Sequence, residues 1–223
     1  MIFSKRNLEL ILALIFSLAA MAEEPADTAR TSYTVDRFFA GAPLEVIDML
    51  RPSTRLDMID YYVQADSALN APDALGGSSH IVTLTPDYMK VAVSPVSTLE
   101  LKMLPYKKEN IVMSLYTVGG DSIAKDTRID FYDLDFKQLP GEKFLKAPSA
   151  ESFFNIKDSD ISESDLNEWM SFQTVEYSTG PDDTPLTATL TTPVTLPAEI
   201  RGKLEKTLTP QKTAVWKSGY KFQ

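Results

Sequence analysis

The sequence predicts an α+β protein: an N-terminal helix pair packed on an antiparallel sheet of about five strands, followed by a smaller α+β C-terminal part. Two observations carry this prediction. Apolar residues recur at helical spacing over residues 44–63, and the period then switches to alternation over residues 80–132. The links between the alternating runs, such as Thr85-Pro86-Asp87 and Gly119-Gly120-Asp121, are hairpin-sized and too short for the crossover that parallel strands require.

The first helix is expected over residues 43–50, with Pro43 at its first position and Leu44, Ile47 and Leu50 on one face. Pro52 is expected to stop it. Thr54, with Asp57 three residues on, reads as the capping box of a second helix whose buried stripe is Leu56, Ile59 and Val63, widened by Tyr62. Strands follow with His80, Val82 and Leu84, then Met89, Val91 and Val93, then Leu99, Leu101 and Met103 on alternate positions. Residues 111–118 are apolar on both faces, as a central strand would be, and Ile129 with Phe131 marks a fifth strand. Beyond a Pro- and Gly-containing boundary near residue 148, Ser162 or Ser164 caps a short helix carrying Leu166, Trp169 and Met170. Strands are expected over residues 172–177 and 186–190, a helix over 197–208, and a last strand with Ala214, Trp216, Ser218, Tyr220 and Phe222 on one face. Pro86-Asp87 followed by Ser94-Pro95-Val96 is echoed by Pro181-Asp182 followed by Thr192-Pro193-Val194, which admits an internal duplication.

Composition removes whole classes of function. The 223 residues include no Cys and one His, so there is no disulfide framework, thiolate metal site or multi-histidine zinc site within the chain. The 22 Lys and Arg are outnumbered by 31 Asp and Glu, which argues against a nucleic-acid partner. Lys5 and Arg6, the apolar run over residues 10–20 and Ala20-Met21-Ala22 form an export leader over residues 1–22. No later run is long and apolar enough to span a bilayer, so no transmembrane segment is expected once the leader is cleaved. A flexible lead-in over residues 23–37, an N-terminal unit over 38–147 and a C-terminal unit over 148–223, closely packed on the first, complete the organisation.

Arg55-Leu56-Asp57-Met58-Ile59-Asp60-Tyr61-Tyr62 resembles the signature of an exported Bacteroidetes family known only as a domain of unknown function. Residues 101–105, Ile129-Asp130-Phe131-Tyr132-Asp133 and Trp216-Lys217-Ser218-Gly219-Tyr220-Lys221-Phe222 are similar to that family too. The resemblance spans most of the chain beyond the leader. It implies export into a Gram-negative envelope and an α+β domain, and it supplies no catalytic residues.

Several constellations suggest chemistry and mostly fail on context. Ser122-Ile-Ala-Lys125 with Lys217-Ser218-Gly219 imitates the serine β-lactamase set, but Ser122 falls in a turn between strands instead of opening a buried helix. Asp158, Asp160, Ser162 and Ser164 imitate a calcium loop, but Glu163 takes the place of its turn glycine and Trp169 that of its bidentate Glu. His80 and Ser79 are strand neighbours on opposite faces. Arg51, Arg55, Asp57 and Asp60 cluster near the junction of the two leading helices. Asp57 and Asp60 share one helix face and are the least unfavourable pair for acid–base chemistry. Tyr106, Lys107 and Lys108 form a loop suited to docking on a partner. Residues 201–223 hold six basic residues and one acid, whereas residues 151–200 hold ten acids and one Lys. Attraction between these stretches within the fold is the first expectation, and docking to an acidic partner or envelope polymer the second.

The reading that results is a non-enzymatic, exported envelope protein, periplasmic or at the cell surface. It acts as an interaction or ligand-binding module towards a protein or glycan partner. The alternatives are a carboxylate-based hydrolase of envelope glycan or peptide, and an inhibitor-like binder of a secreted enzyme. No cofactor, metal or oligomeric state is assigned.

Overall fold

The computed structural model describes residues 33–64, 71–72, 77–120, 123–157 and 159–223, which all lie in one unit, Tyr33–Gln223. The expected leader, residues 23–32 of the lead-in, Ser122 and Asp158 lie outside the described residues. Among the described residues no helix is long and apolar enough to cross a membrane.

Helix α1 (Val35–Gly41) buries Val35, Phe38 and Phe39, the i, i+3, i+4 face. The helix expected over residues 43–50 is instead a run of turns, in which the Pro43 carbonyl accepts from Val46 N and Ile47 N. Of its expected face Ile47 and Leu50 are buried all the same, joined by Val46, whereas Leu44 is 47% exposed. Pro52 holds Arg51 in an extended conformation and so opens the next helix, reversing the expected stop. Helix α2 (Pro52–Val63) has no side-chain cap, and Thr54 lies inside it, so the expected capping box does not form. Its inward stripe is also rotated. Arg55 and Met58 are buried, whereas Leu56 and Val63 are 53% and 72% exposed.

Seven strands follow as an antiparallel meander in sequence order: β1 (Ala71–Pro72), β2 (Ser78–Leu84), β3 (Tyr88–Ser94), β4 (Ser97–Tyr106), β5 (Glu109–Gly120), β6 (Ile123–Tyr132) and β7 (Gln138–Leu139). The five long ones are the expected strands. Gly119 makes the β5–β6 end possible: at φ +125° a Cβ there would come within 2.7 Å of the Ala124 carbonyl. Alternation sorts the apolar residues between two cores. Met89, Val91, Leu99, Leu101 and Val112 pack with the helices, whereas Ile111, Met113, Leu115 and Phe131 pack with the C-terminal part. The large sheet is thus the middle of three layers.

On the second face, α3 (Glu163–Trp169) is capped by Ser162 Oγ accepting from Asp165 N, the cap expected. Strands β8 (Val175–Ser178), β9 (Leu186–Leu190) and β10 (Gln211–Ala214) form a small antiparallel sheet in the order β10-β9-β8, with α4 (Ala198–Leu204) between β9 and β10. Strand β8 is an edge whose N–H groups are satisfied by side chains of the large sheet. Val175 N donates to Asp126 Oδ1, Tyr177 N to Thr127 Oγ1 and Thr179 N to Glu100 Oε2, at 2.9–3.1 Å. Buried Lys102 adds a tie, donating from Nζ to Asp87 Oδ2 and to the Asp182 carbonyl. The two echoed Pro-Asp links therefore meet at one lysine, but Thr192-Pro193-Val194 starts a 3-10 turn where Ser94-Pro95-Val96 makes a hairpin.

The chain end corrects another expectation. Residues 214–222 are not one strand: β11 (Trp216–Lys217) and β12 (Lys221–Phe222) form a hairpin, with Tyr220 at φ +58° in its turn. Folding back at Ser218-Gly219 sets Trp216 opposite Phe222, so both rings reach the same apolar cluster.

Candidate binding surface

The four leading candidates are dispersed by the rotation of α2. Arg55 has no exposed surface, and its guanidinium donates to the Phe39 and Ala42 carbonyls at the end of α1, with the Phe39 ring 5.9 Å away. A cation at a helix C-terminus meets the negative end of the dipole, so this charge organises the helix pair. Burial lowers the Arg55 pKa from the usual arginine value. Arg51, Asp57 and Asp60 are exposed. Shielding from water, which paired carboxylates need for acid–base work, is not what α2 gives Asp57 and Asp60. His80 is exposed on β2.

A buried polar group that the sequence did not single out lies under the residue 179–182 turn. Glu100 accepts from Tyr88 Oη and Lys90 Nζ at 3.0 Å and from Thr179 N at 3.1 Å. Burial first, then the Glu100 charge and hydrogen bond, push the Tyr88 phenol well above its ordinary value. Asp87 moves the other way. Burial alone would raise it, but hydrogen bonds from Lys102 and Thr85 outweigh that and hold it below the usual range. The visible hint was Glu100 and Lys102 on alternate positions of an otherwise apolar strand. Every member is consumed by bonds within the fold, so the group ties the layers together.

Tyr106, Lys107 and Lys108 are brought to a more suggestive place. They form the β4–β5 hairpin end, where Lys107 takes φ +54° and its ammonium lies 4.9 Å from the Tyr106 ring centroid. The Tyr106 ring meets Phe144 at 5.5 Å and Tyr220 at 5.2 Å, both edge-on. Phe144 continues to Phe131 at 4.9 Å and to Trp216 at 6.1 Å, and Trp216 to Phe222 at 5.1 Å. Two hydrogen bonds fasten the C-terminal hairpin here: Trp216 Nε1 donates to the Pro105 carbonyl and Phe222 N to the Phe144 carbonyl. The hairpin Trp216 and Tyr220 were legible as an aromatic pattern; Phe144 carried no sequence sign of its role.

Lysines surround these rings. Lys107, Lys108, Lys143, Lys146, Lys217 and Lys221 are exposed, each within two residues of a ring in the cluster. Among the described residues none of the six is in an ion pair. Glu109 and Glu142 are the acids interspersed with these lysines on the β4–β5 and residue 141–146 segments, and Asp130 and Asp133 flank Phe131. Lys217 and Lys221 stand directly opposite each other on the outer face of the hairpin, an arrangement that is locally repulsive. Among the described residues no ion pair links the basic stretch 201–223 to the acidic stretch 151–200 other than Lys203–Glu199. That pair lies within α4, four residues apart. Beyond Phe131 the surface dips into an open depression of about 610 Å³, lined by Ile129, Phe131, Leu145, Ala147 and Tyr177, with Lys146 and Glu142 also at its wall.

A family model described as "Protein of unknown function (DUF3256)" matches residues 28–222. Among solved structures, a domain of an uncharacterized protein from Porphyromonas gingivalis W83 is similar at a TM-score of 0.70 and 22% identity, over 85% of this chain and 98% of that one. That likeness is one of fold. No curated protein matches the chain.

Proposed function

The chain belongs to the DUF3256 family of proteins of unknown function, and from that premise we propose that it is an exported envelope interaction module that docks an anionic partner on its lysine-ringed aromatic end. The observation that carries this reading is the set of six exposed lysines around the Tyr106–Phe144–Trp216 cluster that have no ion-pair partner among the described residues, in a chain where acids outnumber bases. Clustered like charge raises stability costs within the fold and is relieved by an opposite charge from outside. Export is supported by Lys5, Arg6 and the apolar run over residues 10–20.

The test is photocrosslinking in the native cell from probes placed at Lys107, at Lys217 and, on the opposite layer, at Val63. The expected result is a reproducible adduct from the first two positions and none from Val63. Equal labelling from Val63, or no adduct at Lys107 and Lys217, would overturn the docking surface.

A further inference from the structure

Resting on that reading, we infer that the partner is an acidic polysaccharide, a carboxylate- or sulfate-bearing glycan chain lying across the Tyr106–Trp216–Tyr220 end.

The charge is all lysine. Interfaces with folded proteins are depleted in Lys and enriched in Arg, whose rigid fork matches fixed carboxylates two bonds at a time. Here Lys107, Lys108, Lys143, Lys146, Lys217 and Lys221 present point charges on flexible stems, which suit a repeating chain of negative groups with loose registry. Rings lie between those charges. Tyr220 is 37% exposed, and Tyr106 and Trp216 are half-buried, so apolar ring surface is open at the positions between the lysine pairs. A sugar ring has one apolar C–H face and polar edges, and such a face rests on an aromatic ring while its acidic substituent reaches a lysine. A lipid surface fits less well, because Val215 and Tyr220 are the exposed large apolar side chains of this end and membrane association needs a broad apolar face. The depression beyond Phe131, with Lys146 at its wall, extends the track past the rings.

Affinity electrophoresis of the purified full-length protein through polygalacturonate, dextran sulfate and neutral dextran tests the inference, with single-stranded poly-dT as the competing polyanion. Retardation by the two acidic glycans, and none by neutral dextran, is expected. It should weaken about tenfold or more between about 50 and about 200 mM salt. Lys107→Glu with Lys108→Glu, and separately Lys217→Glu with Lys221→Glu, should each weaken it about tenfold. Tyr220→Ala should weaken it several-fold with an unchanged salt slope, because it removes stacking and no charge. Lys203→Glu with Lys206→Glu makes the same charge change elsewhere and should leave binding within about twofold. The two lysine pairs lie on separate hairpins, so poor folding of one variant leaves the other informative. Four results overturn the inference: no retardation by either acidic glycan, equal loss in the Lys203/Lys206 control, wild-type retardation of Tyr220→Ala, or poly-dT binding as tight as polygalacturonate. If the glycans fail while crosslinking from Lys107 and Lys217 still captures a partner, the glycan class falls and the docking surface stands; if both fail, both fall.

Discussion

Arg55 is the residue on which the helical layer turns. Its side chain is buried, and its guanidinium takes the two carbonyls that end α1, so the charge is spent between Phe39 and Ala42. Truncating it would strand both carbonyls and open a void under Phe39. Arg55→Ala is therefore expected to cost about 3–5 kcal/mol, read from urea unfolding. Arg55→Lys should recover part of that, because an ammonium keeps the charge at the helix end but lacks the fork that spans two acceptors. A lysine variant as unstable as the alanine one would show that the charge at the dipole contributes little. At sequence level Arg55 looked like one of a cluster of exposed charges, since nothing in a local pattern says that a cation will be turned inward. Asp57 and Asp60, by contrast, stay on the exposed side of α2, where a pattern of alternating charge and apolar residues places them readily.

At the scale of elements, β8 shows how an edge strand is closed without another strand. Its outward N–H groups at Val175, Tyr177 and Thr179 alternate along the backbone, and Asp126, Thr127 and Glu100 supply one oxygen each. Thr127 is buried, as Glu100 is, and also pairs its hydroxyl with Thr117 at 2.8 Å. Thr127→Val keeps the shape and removes both bonds, leaving the Tyr177 N–H unsatisfied; a loss of about 1–3 kcal/mol is expected. Thr127→Ser should be close to wild type. Hydrogen exchange separates this from a general packing defect: the Tyr177 amide should exchange faster in Thr127→Val while amides of β3 and β4 keep their order of protection. Uniform acceleration throughout the molecule would argue against a specific tie. The strands were legible because alternation over residues 88–132 is an energetic pattern in itself, one face for each core. The helix expected over residues 43–50 does not form because Ile47 and Leu50 reach the core from turns, with Val46 and not Leu44 as the third buried side chain, and apolar residues at helical spacing do not require helical backbone. The last strand was misjudged for a related reason: Trp216 and Phe222 do share a face, but across a hairpin turn instead of along one strand.

The whole molecule is three layers with ionisable groups on both faces of the large sheet, Tyr88 and Tyr177 towards the C-terminal part and Tyr132 in the core beneath the helices, and its pH dependence follows. Burial is the leading reason the Tyr88, Tyr132 and Tyr177 phenols titrate above their ordinary value, with Glu100, Asp130 and Asp126 adding to it respectively. A raised phenol contributes stability that is complete below the unfolded value of about 10 and is lost as pH rises through the folded value. Asp87 is held below its ordinary value, so its contribution is present above about pH 4 and is lost as pH falls through the folded value. A stability plateau between these limits, falling on both sides, is the expected urea-midpoint profile. Tyr88→Phe should lower the plateau by the lost bond to Glu100 and flatten the alkaline fall. A variant curve parallel to wild type above pH 10 would show that another group drives the alkaline loss. At the same scale, among the described residues no ion pair joins the exposed Lys217 and Lys221 to the acidic stretch 151–200, so their charge stays at the aromatic end.

Legible in the sequence were the class of the fold, the central meander, a serine cap at residue 162 or 164 and the Tyr106-Lys107-Lys108 turn, because each depends on short-range periodicity or on one residue's backbone preference. Tertiary structure alone decided that Arg55 would be buried, that Glu100 and Lys102 would bind the small sheet to the large one, and that Phe144 would gather Tyr106, Phe131 and Trp216 into a single cluster. Those outcomes join residues far apart in the chain; the Trp216–Pro105 hydrogen bond beside that cluster spans 111 positions. They are set by which faces meet when the layers close, and no local pattern carries that information.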